Sequence, residues 1–201
     1  MRKQPDKSSI ERNHFLAFVL RMKYINRWSL MRNTINENIA EHSLQVSVIA
    51  HLLANIKNTL FSGNLNAEKI AAIAMYHDAN ETITGDLPTP IKYFNPEIKK
   101  AYKALEKIAS DKLITMLPEE LRAVYSNIIF NDESELLIII KAADKLSAYI
   151  KCIEEEKAGN TEFRKAKEAI YNQLIEFNLP EVDYFLNKFI PSVYLTLDEL
   201  E

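Results

Sequence analysis

Apolar residues in this chain recur every three and four positions, and period-two alternation is nearly absent. That leaves little room for a sheet, because a strand sends successive side chains to opposite faces whereas a helix gathers its apolar residues into a stripe. The expectation is an all-α fold, one helical bundle over residues 1–201. The first helix is expected to start near Ser8 or Ser9 and to carry Phe15, Leu16, Val19, Leu20 and Met22. After a polar loop over 26–38, a second is expected over about 40–58, with Leu44, Val48, Leu52 and Ile56 in phase. A third, capped by Asn66, ends near Thr84 with Gly85 just beyond it. Pro88 and Pro90 keep residues 86–90 out of a helix. Asn95-Pro96 reads as a cap with proline at the first helical position, and that helix runs to about 116. Pro118 opens a shorter one. Asp132 with Glu135 resembles a capping box ahead of a long apolar helix that Gly159-Asn160 breaks. Further helices follow over about 162–177 and from Pro180.

Bulk properties exclude several classes. A chain of 201 residues can bury about 70% of the surface its unfolded form exposes, so it needs no disulfides. Cys152 is the one cysteine, which agrees with a reducing compartment, and on its amphipathic helix it reads as a small core residue. The net charge of −3 has no basic stripe, which argues against a polynucleotide partner. The first residues lack the apolar stretch of a signal peptide, and no run approaches the ~20 residues of a membrane span. The expected location is the cytoplasm. With 3 glycines there is no glycine-rich phosphate cradle, so any phosphate must meet cationic side chains, a metal or helix N-termini.

Against this apolar background four polar residues stand out. His77 and Asp78 lie side by side near the end of the third apolar run, His42 lies in the second helix, and Asp144 lies in the long one beside Leu137, Ile140 and Ala148. Each is costly to bury unless something pairs with it. On a continuous helix Glu81 falls one turn past His77, and Asp78 is rotated by about 100° from His77, so both can grip one ion only off the helix edge. Two imidazoles and two carboxylates from three helices would make a divalent-metal site. The blander alternative is a set of satisfied core histidines, with Asp144 paired to a lysine or arginine; His14 and His51 fit that reading best.

These residues carry a resemblance. Ala40-Glu-His-Ser43, Tyr76-His-Asp78 and Ala143-Asp-Lys145 resemble the HD-domain superfamily of metal-dependent phosphohydrolases. The chain is similar, more narrowly, to bacterial 5'-deoxynucleotidases of the YfbR type. That likeness covers nearly the whole length and is carried by Ile25-Asn-Arg-Trp-Ser-Leu-Met-Arg-Asn33, Asn38-Ile-Ala-Glu-His-Ser-Leu-Gln-Val46, Met75-Tyr-His-Asp-Ala-Asn-Glu81 and, most specifically, Thr84-Gly-Asp-Leu-Pro-Thr-Pro-Ile-Lys-Tyr-Phe-Asn95. The resemblance implies hydrolysis of deoxyribonucleoside 5'-monophosphates, selective against ribonucleotides and 3'-phosphates. It implies one divalent cation (Co, Mn, Cu, Zn, Ni or Fe) held by His42, His77, Asp78 and Asp144, within a ligand core over roughly 39–150. It places Arg27 and Trp28 at the substrate and Asp86, Leu87, Pro88 and Thr89 around the sugar, with His42, Asp78 and Asp144 touching substrate as well as metal. It also implies a homodimer.

The chemistry suits these residue types. Phosphate-monoester hydrolysis is among the slowest uncatalysed reactions, and a divalent ion both neutralises the phosphate charge and lowers the pKa of its water. The planar fork of Arg27 matches phosphate oxygens two at a time. Glu81 is the candidate for proton transfer, or else a carboxylate that orients a ligand; Asp86 shares proton handling or holds the sugar. Trp28 suits core packing as well as a sugar contact. Rejecting a 2'-hydroxyl needs a steric or unsatisfied-polar penalty, which Trp28, Leu87 and Pro88 are rigid or apolar enough to supply. Competing readings are a nucleoside triphosphohydrolase, a cyclic-nucleotide phosphodiesterase, or a non-catalytic helical module that keeps a structural metal.

Overall fold

Helix α2 (Ile39–Leu60) is the axis around which the other elements pack. It starts on a capping box: the Asn38 side chain accepts from the Glu41 N–H at 3.0 Å, and the Glu41 carboxylate accepts from the Asn38 N–H at 3.4 Å. Its buried face alternates large and small residues, Val46, Ala50, Leu53 and Ala54 among them, and the small ones let α3 (Ala67–Met75) and α8 (Ser134–Lys157) come close. The structure, a computed structural model, describes residues 12–200, and among these the regular structure is helical throughout apart from one isolated antiparallel bridge, Asn26 with Asn38. The expected stripe on α2 is only half right. Ile56 is buried, but Leu44 and Val48 are each 60% exposed, because the face set by α3 and α8 runs through 42, 46, 50 and 53 instead.

Two apolar clusters result. The larger joins α2, α3 and α8 to α9 (Arg164–Glu176) and α10 (Pro180–Lys188). The smaller gathers Phe15, Met22, Ile39, Ala79, Leu113 and Leu117, from α1 (Phe15–Val19), the 3₁₀ turn Leu20–Tyr24, the start of α2, the turn over 76–80, and α6 (Pro96–Thr115) with the loop after it. Ile39 belongs to the smaller cluster and Val46 to the larger, so His42, midway between them on α2, sits at the seam.

Other expectations meet the structure element by element. The start expected at Ser8 or Ser9 lies outside the described residues; Phe15 and Met22 are buried, whereas Leu16 and Leu20 are exposed. Asn95 caps α6, accepting from the Ile98 N–H at 2.8 Å, with Pro96 at its first position. Helix α7 (Glu119–Ile129) follows Pro118. The capping box expected at Asp132 does not form: α8 starts at Ser134, its N-cap Glu133 makes no capping bond, and that carboxylate is taken by Lys69 and Asn131. Gly159, at φ +82°, lies just past α8, and Pro180 opens α10, with α11 (Ile190–Val193) beyond it. Cys152 is buried on α8 with its thiol pushed up to about 12 by burial, as a packing residue should be. Among the described residues no helix is long and apolar enough to cross a membrane.

Candidate metal centre and substrate cavity

The third helix does not run to Thr84. It stops at Met75; residues 76–80 form turns, and α4 (Glu81–Thr84) is a separate short helix ending at Gly85, φ +74°. The reason is local. The Tyr76 N–H bonds back three residues to the Ile73 carbonyl at 3.1 Å, and the His77 Nδ1–H donates to the Ala74 carbonyl at 2.7 Å. The imidazole thus takes the acceptor that the Asp78 N–H would use in a continuing α-helix. His77 and Asp78 therefore do not splay as neighbours on a regular helix would; their reacting atoms, Nε2 and Oδ2, lie 3.1 Å apart.

Three elements bring the four expected ligands together. His42 comes from α2, His77 and Asp78 from the turn, and Asp144 from α8. One ligand atom each from His42, His77 and Asp78 falls within a mutual 4.8 Å. Asp144 stands outside that mutual sphere, but its Oδ1 is 3.1 Å from His42 Nε2, and Asp78 Oδ2 is 3.6 Å from the same nitrogen. His14 and His51, the histidines read as core residues, are instead exposed.

The hydrogen-bond network fixes both tautomers. A carbonyl can only accept, so His77 carries its proton on Nδ1. His42 Nδ1 lies 3.2 Å from Ser147 Oγ, whose own proton goes to Gln45 Oε1 at 3.1 Å, so the ring donates to the hydroxyl. With Nδ1 so engaged, each neutral ring offers a lone pair on Nε2, buried and facing a carboxylate, Asp144 for His42 and Asp78 for His77. Two nitrogen lone pairs face two carboxylates, acceptor against acceptor, which is stable only with a cation between them. A divalent metal fits this donor set, and the Nδ1 partners hold the rings as outer partners of ligating histidines do. In the absence of metal a proton takes that part. Burial works against a charged His77, but the charge and hydrogen bond of Asp78 outweigh it and raise the ring to about 9. Burial likewise opposes the ionised form of Asp78, yet the His77 pair holds it down at about 2, and the His42 hydrogen bond holds Asp144 well below the usual carboxylate range. His42 goes the other way, lowered chiefly by burial.

Beside the cluster, Arg27 places Nη1 3.6 Å from Asp78 Oδ2. Glu81 is 7% exposed, with one carboxyl oxygen unpartnered, and burial followed by the charges of Asp78 and Asp86 raises it to about 9. Burial also raises Asp86. A cavity of about 480 Å³ opens here, walled by Arg27, Trp28, Asp86, Pro88, Thr89 and Asp144, and closed on its far side by α8 and α9. His42, His77 and Asp78 lie behind Arg27 and Asp144. Leu87, also expected at the sugar, is half-buried beside this wall, which Asp86 and Pro88 line on either side of it. Thr89 and Pro90 correct an expectation, since they open a one-turn helix, α5 (Thr89–Lys92), with proline tolerated in its first turn.

Three residues at this site give no warning in the motif pattern. Ser147 stands three residues beyond Asp144 and is buried, whereas Gln45 stands three beyond His42 and is exposed, and that spacing is the signal available for them. Glu37 sits in a polar loop where nothing distinguishes it.

Comparison with known proteins agrees with the geometry. Residues 14–193 match the family described as 5'-deoxynucleotidase YfbR-like. A 5'-deoxynucleotidase YfbR from Shigella boydii is 53% identical over 195 residues, covering 95% of this chain and 97% of its own, and one from Escherichia coli has the same identity and coverage. Among solved structures, an HD-domain phosphohydrolase from Listeria innocua superposes with a TM-score of 0.79 at 21% identity, over 90% of this chain and 88% of that one. The cyanophage S-2L HD phosphohydrolase DatZ, bound to dA and one catalytic Zn2+ ion, gives 0.63 at 20% identity over 90% and 96%. These last two establish the all-α HD fold. By sequence over nearly its whole length, the chain belongs to the YfbR-like 5'-deoxynucleotidase family.

Proposed function

We propose that this protein is a metal-dependent 5'-deoxynucleotidase that hydrolyses deoxyribonucleoside 5'-monophosphates to deoxynucleoside and phosphate, and discriminates against ribonucleotides and 3'-phosphates. The observation that carries the reading is the pair of buried Nε2 atoms of His42 and His77 facing Asp78 and Asp144 beside the Arg27 guanidinium. Family membership supports the reaction type. His42, His77, Asp78 and Asp144 hold one divalent cation, and their N/O donors suit Co, Mn, Cu, Zn, Ni or Fe. Such an ion supplies Lewis-acid neutralisation of phosphate charge and acidification of water.

The remaining work falls to side chains. Arg27 takes phosphate oxygens through its fork. Glu81, raised to about 9, keeps its proton at neutral pH and gives it to the departing 5'-oxygen. Trp28, Asp86, Pro88 and Thr89 line the cavity, and in this reading Asp86, Pro88 and Thr89 take the sugar while Trp28 meets a 2'-hydroxyl. The enzyme works as a cytoplasmic homodimer, which sedimentation of the purified protein tests.

A panel of deoxy- and ribonucleoside 5'-monophosphates, deoxynucleoside 3'-monophosphates, dATP and cyclic AMP, each with several added metals, tests the activity. Phosphate release confined to the deoxy 5'-monophosphates supports the reading. Preferential turnover of dATP or cyclic AMP replaces it with a different phosphohydrolase activity.

A further inference from the structure

Trp28 sits in a backbone conformation that a bulky side chain rarely adopts, φ +58°. Such strain persists only where the surroundings over-determine it. The Trp28 carbonyl accepts from the Met31 N–H at 2.9 Å and from Asn33 Nδ2 at 3.2 Å, and its ring packs against Phe163 with centroids 5.3 Å apart. The polar edge of the indole is held separately. Its Nε1–H donates to Glu37 Oε2 at 2.7 Å.

The same Glu37 oxygen lies 3.2 Å from Arg27 Nε, and its other oxygen lies 3.9 Å from His42 Nδ1. Glu37 is 6% exposed. Its location follows from the backbone. The Arg27 N–H donates to the Glu37 carbonyl and the Ile39 N–H to the Ile25 carbonyl, both at 2.9 Å, so the two ends of the loop zip together and set residue 37 opposite residue 27. One buried carboxylate thus ties together the cavity-wall aromatic, the phosphate-facing arginine and, more loosely, a ligand histidine.

We propose that Glu37 is a positioning residue that fixes the angle of Trp28 and the reach of Arg27, and through Trp28 sets the preference for deoxyribose over ribose. This rests on the deoxynucleotidase reading of the cavity. Glu37 itself touches no substrate. It acts by denying the indole the freedom to swing away from a 2'-hydroxyl, and a rigid wall discriminates where a yielding one does not.

Trp28 is the one tryptophan in the chain, so its fluorescence reports this contact alone. In the metal-loaded full-length protein, Glu37→Ala is expected to lower the deoxy-to-ribo ratio of kcat/KM by about 10-fold, the scale of a lost hydrogen bond to a charged group. It should also shift Trp28 emission and make it more quenchable by acrylamide. Glu37→Asp, which keeps the charge but withdraws it by one methylene, carries the same test if the alanine variant folds poorly. Glu37→Gln keeps an acceptor for the indole and should restore most of the ratio and the emission. In a Trp28→Phe background, substitution at Glu37 should leave the ratio unmoved. Wild-type ratio and emission in both Glu37→Ala and Glu37→Asp, or an equal fall in the ratio without Trp28, overturns the role of Glu37. Failure of the wild-type protein to release phosphate from any deoxynucleotide overturns the reading of the site instead.

Discussion

At the residue scale, His77 carries the proton that a metal ion must displace. With the ring raised to about 9 in the metal-free protein and His42 lowered, one histidine and not two gives up a proton on binding at neutral pH. Apparent metal affinity should therefore fall about tenfold for each pH unit below 9 through the neutral range, since ligation needs the neutral ring. Competition with a chromophoric chelator across pH 7–9 measures it; a slope of zero or of two would contradict a single protonated histidine in the metal-free site. Glu81→Gln removes the proton donor but no ligand. It is expected to lower kcat by about 10²- to 10⁴-fold with metal content intact, and near-normal kcat in that variant would free Glu81 from its role. The four ligands are legible in the sequence because polar groups on apolar helices stand out against their neighbours. Glu37 is not, because a glutamate in a polar loop resembles every other solvated acid until the loop ends are seen to pair.

At the element scale, most helix boundaries are legible from caps and prolines, as at Asn66, Asn95, Pro118 and Pro180. The break after Met75 is not, since no glycine or proline marks it; a side chain competing for the Ala74 carbonyl produces it. The loop that carries Arg27 and Trp28 is latched to α8 by Glu155, which is fully buried and accepts from the Thr34 and Ile35 N–H groups, Lys151 and Asn160. Burial opposes its ionisation, but these donors prevail and lower the carboxyl to about 2, against 4.5 when unperturbed. A depressed folded-state value means that its contribution is fully present above about pH 4.5 and is lost as pH falls towards 2. Glu155→Gln should cost about 3 kcal/mol at neutral pH and flatten the stability profile between those limits. Urea denaturation at pH 3 and pH 7 tests this, and equal losses at both would contradict it.

At the scale of the whole molecule, the all-α architecture follows from apolar periodicity, whereas the choice of buried face on α2 does not, because it depends on which neighbours pack there. The centre joins α2, the 76–80 turn and α8 across the seam of two apolar clusters, so ligand binding there should stabilise the fold as a unit. Saturating metal at 100 times its Kd adds about 2.7 kcal/mol, which for a chain of this size raises Tm by about 5–10 °C. Calorimetry with and without metal reads the shift, and a Tm indifferent to metal would speak against a site that bridges the elements.

The most direct measurement is phosphate release from a deoxyribonucleoside 5'-monophosphate by chelator-stripped protein as metal is returned in steps. The expected rate climbs linearly and breaks at one ion per chain, and Asp144→Ala stays inactive at the same loading. Full turnover by the stripped protein, or by Asp144→Ala at one ion per chain, would contradict a centre built from His42, His77, Asp78 and Asp144.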